Sequence, residues 1–146
     1  MARTLSCIMS GVEESEKAEV KTAEELLLVG ETCLNAGKFE DAIAIYKEIV
    51  KREPRLPTLA KACNDCGVAY ASLKMNEMAI SFFNAALNLS DYLMDAGIST
   101  CINLGQVYKL MAEDEKAEEC FRRAELLKRE HKRREEEMKR AFSYVD

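Results

Sequence analysis

The sequence predicts an all-α protein, an α-solenoid of three stacked antiparallel helix pairs closed by a long C-terminal helix. One spacing recurs three times: Leu26-x2-Val29-Gly30-x2-Cys33 with Ala42-x3-Tyr46, Cys63-x2-Cys66-Gly67-x2-Tyr70 with Ala79-x3-Phe83, and Cys101-x2-Leu104-Gly105-x2-Tyr108 with Ala117-x3-Phe121. The step from glycine to alanine is 12 residues in every copy. Within each copy the large residues around the glycine share one stripe of a 3.6-residue helix. After Met111 there is no glycine or proline, so the last helix is expected to run to about residue 142. A copied unit with a fixed internal register is the signature of a stack whose repeats bury one another's faces.

Residues 1–22 open with Leu5, Ile8, Met9 and Val12 at helical spacing, followed by an acidic stretch from Glu13 to Glu19. They are expected to be flexible or a loosely packed short helix; the alternative is that the apolar stripe folds back over the groove. Ser10-x-x-Glu13 and Thr22-x-x-Glu25 have the capping-box pattern, and the ordered repeats are expected to begin near Thr22. Repeat 1 covers 23–54. Its two helices are separated by Asn35-Ala36-Gly37-Lys38, where glycine accepts positive φ, and Pro54 ends the pair. Repeat 2 covers 58–91, with Pro57 and Thr58 opening its first helix. Repeat 3 covers 92–129. The turns of repeats 2 and 3 lack the glycine, and Asn76 and Asp114 are the expected first residues of the helices that follow. Residues 130–146 extend the last helix as a cap.

A glycine inside a helix costs about 1 kcal/mol relative to alanine, so three in register imply close approach by a second helix. The facing small residues are expected to let the two helices pack tightly, with Tyr46, Phe83 and Phe121 filling the space between units.

This arrangement resembles the tetratricopeptide repeat family over roughly residues 23 to 129. The family's frequent Trp is Leu26, Cys63 and Cys101 here, its Tyr is Cys33 in the first unit, and its closing Pro survives only as Pro54. Successive glycines are 37 and 38 residues apart, against about 34 in the family. The extra turn must lie between units, so the first helices of repeats 2 and 3 are expected to begin early, near Thr58 and Asp91. The resemblance implies a right-handed superhelix and a non-catalytic protein–protein interaction scaffold, an adaptor binding a peptide or helix of a partner in its concave groove.

Residues six and three before each glycine, and one, four and five after it, lie about 140° from the core stripe. In a right-handed stack they line the inner wall: Glu24, Leu27, Glu31, Leu34 and Asn35; Lys61, Asn64, Val68, Ala71 and Ser72; Ser99, Ile102, Gln106, Lys109 and Leu110. The aliphatic members are candidate peptide contacts, and the amides of Asn35, Asn64 and Gln106 both donate to and accept from a peptide backbone. The competing reading is an ordinary surface on a stack too short to curve. Some family members bind a chaperone's C-terminal carboxylate through a Lys, Arg and Asn clamp on this wall. Leu27 and Glu31 stand where its first Lys and Asn are expected, so a co-chaperone of that type is not expected.

At 146 residues the chain is one domain, with 48% apolar and 32% charged residues and a net charge of -5. That balance argues against a dedicated nucleic-acid surface. No apolar run approaches the ~20 residues that span a bilayer, and Met1 to Ser10 is too short an apolar stretch for a secretory signal. Leu5-Ser6-Cys7 resembles a lipoprotein cleavage site but lacks the preceding apolar region. A cytoplasmic protein is expected. His131 is the only histidine, which leaves acid–base and Ser–His chemistry almost no material, and no glycine-rich phosphate loop is present. The chain is expected not to be an enzyme and to need no cofactor.

Cys63-x-x-Cys66 invites a metal or redox reading, but both thiols, with Cys33 and Cys101, occupy apolar repeat positions. Buried structural thiols are therefore expected. In the final helix Glu130 with Arg134, Glu135 with Lys139 and Glu136 with Arg140 are favourable pairs four apart. Its end carries Met138, Ala141, Phe142, Tyr144 and Val145. Either this helix is a solvated cap, which the polar outer face of an end repeat favours, or its apolar tip docks on a partner or makes the chain a self-assembling dimer.

Overall fold

Each glycine of the repeated unit lies against an aromatic ring of its own hairpin. A Cβ added at Gly30 would stand 2.6 Å from the Tyr46 ring, at Gly67 2.7 Å from the Phe83 ring and at Gly105 2.6 Å from the Phe121 ring. Any side chain there would force the ring to move, which the close packing around Tyr46 and Phe83 resists. The rings fill the space under the glycines, and Phe83 also reaches the next unit, where it shares a cleft with Asn103, Gln106 and Val107; small-residue contact alone does not set the helix spacing. Tyr46 and Phe83 are fully buried, while Phe121, in the last repeat, is half-buried.

The computed structural model describes residues 21–89 and 95–145. They form α1 (Ala23–Asn35), α2 (Phe39–Lys51), α3 (Leu56–Ser72), α4 (Asn76–Leu87), α5 (Asp95–Leu110) and α6 (Asp114–Ser143), with no strand among the described residues. Thr22 starts α1, its Oγ1 accepting from the Glu25 N–H at 3.2 Å. Arg52 donates through Nη1 to the Lys21 carbonyl and so fixes where the chain enters the first repeat. Asn76 and Asp114 are the first residues of α4 and α6, as the sequence predicts. Pro57 falls in the first turn of α3, whose first helical residue is Leu56. The start expected for α5 near Asp91 and the reading of residues 1–20 lie outside the described residues.

The three intra-repeat turns are copies of one another. Gly37, Lys74 and Ala112, each seven residues after its glycine, hold φ of 76°, 61° and 60°. The following N–H of Lys38, Met75 and Glu113 donates to the carbonyl of Cys33, Tyr70 and Tyr108 at 2.8, 3.0 and 2.9 Å. That bond closes a Schellman-type cap and satisfies a carbonyl the helix end leaves free. The turn geometry therefore comes from the packed hairpin, because two of the three turns keep it without glycine.

The second helix of each repeat packs on the first helix of the next, α2 on α3 and α4 on α5, and the first helices also touch, α1 with α3 and α3 with α5. Tyr70 ties neighbouring repeats together, its ring stacked on Phe82 at 5.4 Å with the Lys47 ammonium 5.6 Å from its centroid. Toward the C-terminus the stack becomes polar: where repeats 1 and 2 carry Ile43 and Ile80, repeat 3 exposes Glu118. Beyond Leu127 α6 projects into solvent, with Glu130 paired to Arg134 at 3.0 Å and Arg133 bridging Glu130 and Glu137.

Two stability measurements follow from this geometry. Gly67→Ala forces a methyl into the fully buried Phe83 ring, and it is expected to lower unfolding stability by about 2 kcal/mol in a urea titration despite alanine's better helix propensity. Ala112→Gly relieves a positive φ on a residue with a Cβ, and should raise stability by about 0.5–1 kcal/mol.

Candidate functional site

The first helices α1, α3 and α5 form one wall, and the sequence-predicted stripe falls into two parts along it. Nearer the helix N-termini a chain of polar contacts crosses all three helices. Glu24 accepts from Thr58 Oγ1 at 3.3 Å and meets Arg55 at 3.5 Å. Lys61 Nζ lies 3.0 Å from Glu31 Oε1 and 3.4 Å from Asp65 Oδ2. Asn64 Nδ2 donates to Asp65 Oδ1 at 3.3 Å, and Thr100 Oγ1 donates to Asn64 Oδ1 at 2.6 Å. Asn64, Asp65 and Thr100 are buried. Glu31, Lys61 and Asn64 thus share one network, but its bonds are spent between helices, and Asn64 sits in the α3–α5 seam rather than on open surface.

Nearer the C-termini the wall is apolar and open. Val68 and Ala71 of α3, Asn103, Gln106, Val107 and Leu110 of α5, Ser72 and the Phe83 ring enclose a cleft of about 230 Å³. Leu110 is 78% exposed at its rim. Gln106 and Ser72 are also exposed, the latter with its hydroxyl turned back to the Val68 carbonyl at 2.9 Å. The structure brings Val68, Ser72 and Gln106 together here, with Lys109 exposed one turn away. On the same wall Leu27, Leu34 and Ile102 are half-buried against the core and Asn35 is exposed.

Sequence reasoning missed Arg55, Thr58, Asp65 and Thr100 in the polar network and Phe83, Asn103 and Val107 in the cleft. Asp65 had a signal: it is the one charge between Ala62 and Ser72, four residues after Lys61. Thr100 had none, being one hydroxyl on a helix of mixed small residues.

Burial pushes the Asp65 carboxyl above its usual value, against the pull of the Lys61 ammonium. Burial also acts to lower Lys61, but its contacts with Glu31 and Asp65 win and raise it. The thiols behave as core atoms: burial lifts Cys63, Cys101 and Cys33, and pushes Cys66 up to about 12, so they remain protonated at neutral pH. Among the described residues no three His, Cys, Asp or Glu side chains gather closely enough to hold a metal ion. No described helix is long and apolar enough to cross a membrane.

The tetratricopeptide repeat profile matches residues 26–56, 60–92 and 98–131, well over half of the chain. The chain belongs to the tetratricopeptide repeat family. No curated protein matches the sequence significantly. As tetratricopeptide repeats, its helix pairs make it a protein–protein interaction module of the general kind that family supplies.

The network carries a pH signature. A carboxyl whose pKa is higher folded than unfolded binds its proton more tightly in the native state. Its ionised form therefore costs stability above the folded value, and the cost is relieved as pH falls through that value toward the ordinary 3.8. Asp65→Asn removes this linkage, so its stability relative to the native sequence is expected to be most favourable at pH 7 and to decline as pH is lowered toward 4. Parallel stability curves for the two proteins would contradict the assignment.

Proposed function

We propose that the chain is a non-catalytic adaptor that takes a peptide or helix of another protein along the α1–α3–α5 wall, with the α3–α5 cleft as the main anchor. The open apolar cleft carries this reading. Its volume suits one large side chain, its floor includes the Phe83 ring, and Leu110 stands exposed although nothing in the core requires it. Gln106 at the rim offers one donor pair and one acceptor to a passing backbone. The predicted contacts fall into two roles on this reading: Val68, Ser72, Ile102, Gln106 and Lys109 meet the ligand, with Leu27, Leu34 and Asn35 farther along the wall, while Glu31, Lys61 and Asn64 hold the wall's shape. A soluble, cytoplasmic adaptor suits this surface.

Self-assembly through the tip of α6 has less behind it. Met138, Phe142 and Val145 continue the stripe that Ala117, Ala124 and Leu127 use against α5, and all three are exposed. At 100° per residue, Glu130, Arg134 and Glu137 flank that stripe on one side and Lys128, Lys132, Glu135 and Lys139 on the other, so both flanks carry mixed charge. Glu130 and Glu137 already pair within the helix, with Arg134 and Arg133, and offer a second copy little.

Peptides selected from a random library against the native protein test the adaptor reading. Leu110→Asp with Gln106→Ala changes two exposed side chains and leaves the core untouched. It is expected to weaken a selected peptide by roughly tenfold or more in a calorimetric titration. Equal affinity would remove the cleft from the function.

A further inference from the structure

The turn that closes each hairpin has one geometry in all three repeats, but the side chains around it differ. Eight and eleven residues after the repeat glycine stand Lys38 and Asp41 in repeat 1, and Glu113 and Lys116 in repeat 3, the latter pair bridged at 2.8 Å. Repeat 2 has Met75 and Met78 at these places. Both are open to solvent, at 46% and 39% exposure, and neither is among the side chains packed on the core. Two thioethers have thus taken positions that the sister repeats fill with charge, where burial of apolar surface gains little.

A third thioether meets them from the next repeat. Met111, directly after α5, lines one cleft of about 410 Å³ with Met75, Met78, Lys74 and Glu77, between the turns of repeats 2 and 3. Its side chain is half-buried against the core, so one sulfur arm is anchored, while the other two lie one turn apart at the start of α4. Repeats 1 and 2 carry Ala36 and Leu73 at the place of Met111, so this sulfur too is peculiar to the junction. Leucine would serve shape and apolarity as well. What the three side chains share is a soft, neutral sulfur donor on a flexible arm.

We propose that Met75, Met78 and Met111 form a binding site for a soft monovalent metal ion, Cu(I), held by three thioethers across the junction of repeats 2 and 3. Thioether sulfur selects Cu(I), whereas carboxylate, carbonyl and water suit the hard divalent ions. Glu77 is the single carboxylate of the cleft and gives calcium or magnesium too few oxygens. Charge does not oppose a cation there: Glu77 balances Lys74, and the positive end of α4 lies beside the negative end of α5. The site stands apart from the α3–α5 cleft and does not depend on the adaptor reading.

Silver ion, a redox-inert stand-in for Cu(I), tests this by NMR on the full chain with isotope-labelled methionine methyl groups. Accessible thiols are first capped with N-ethylmaleimide, so that thioethers alone compete. The methyl signals of Met75, Met78 and Met111 are expected to move together and to stop moving at one equivalent, while that of the exposed Met138 stays in place. Signals that do not move, that move independently, or that move no more than the Met138 signal would overturn the proposal. Met75→Leu and Met111→Leu keep volume and apolar character, so the fold is retained. Each is expected to weaken silver binding, and Cu(I) uptake from a chelator, by about tenfold or more. Unchanged affinity in either variant contradicts the three-sulfur site.

Discussion

The contact between a glycine on the first helix and an aromatic ring on the second organises the fold. Where the ring edge occupies the space of a Cβ, the two helix backbones settle at one spacing, and any larger residue would push the hairpin open. A helix-interior glycine loses about 1 kcal/mol, whereas full burial of a phenylalanine side chain gains about 1.5–3 kcal/mol. The exchange is therefore favourable at Gly67, where Phe83 is fully buried. It is smaller at the other copies, because Tyr46 also buries a hydroxyl with no hydrogen-bond partner and Phe121 is only half-buried. Because the glycine, the ring and the left-handed turn residue keep the same offsets in all three repeats, the hairpins have the same shape and stack by one rule.

Apolar contact between repeats fixes distance better than rotation, since methyl and methylene surfaces slide at little cost. The polar chain from Glu31 through Lys61 and Asp65 to Asn64 and Thr100 supplies what they lack, because each bond has one length and one direction. Burying the Asp65 carboxylate costs free energy that its partners only partly return. Its contribution is best understood as alignment of α1, α3 and α5, not net stability. This divides the wall. The half nearer the helix N-termini spends its polar groups on contacts of its own, with the buried Asp65 Oδ2 holding only the ion pair to Lys61. The half nearer the C-termini keeps its apolar surface and its unspent amide.

What was legible in the sequence is what repeats. Helix order, the three units, the first residues of α4 and α6 and the run of α6 to Ser143 all follow from spacing and from the placing of glycine and proline. The partner of each glycine was less legible, because periodicity gives the face on which a residue lies and not which side chain opposite fills the gap. The wall stripe was legible as a direction, yet Asn64 and Gln106, equivalent in outlook, met opposite fates. Their surroundings decide: Asn64 has Thr100 within reach across the seam, whereas Gln106 has open solvent beyond it. A pairing between residues 36 apart leaves no trace in local pattern.

The ends of the stack bear on how such a chain can act. A solenoid with a bare apolar end grows by adding repeats or aggregates through it, so a finite one needs polar substitutions at its last face. Here Glu118 takes the place of Ile43 and Ile80, and Arg122 stands exposed beside it, so Phe121 keeps its glycine contact while the face around it is hydrated. The C-terminal end is thus closed by chemistry within α6 itself. The opposite end has Glu25 and Thr32 doing the same, but Leu28 between them breaks the pattern. A leucine at one end finds no apolar counterpart in the charged face around Glu118 and Arg122 at the other, so head-to-tail stacking of copies would bury little apolar surface. End-to-end growth is disfavoured for that reason. The cleft beneath Leu110 is a separate apolar surface on the wall, likewise not used by the fold for its own packing.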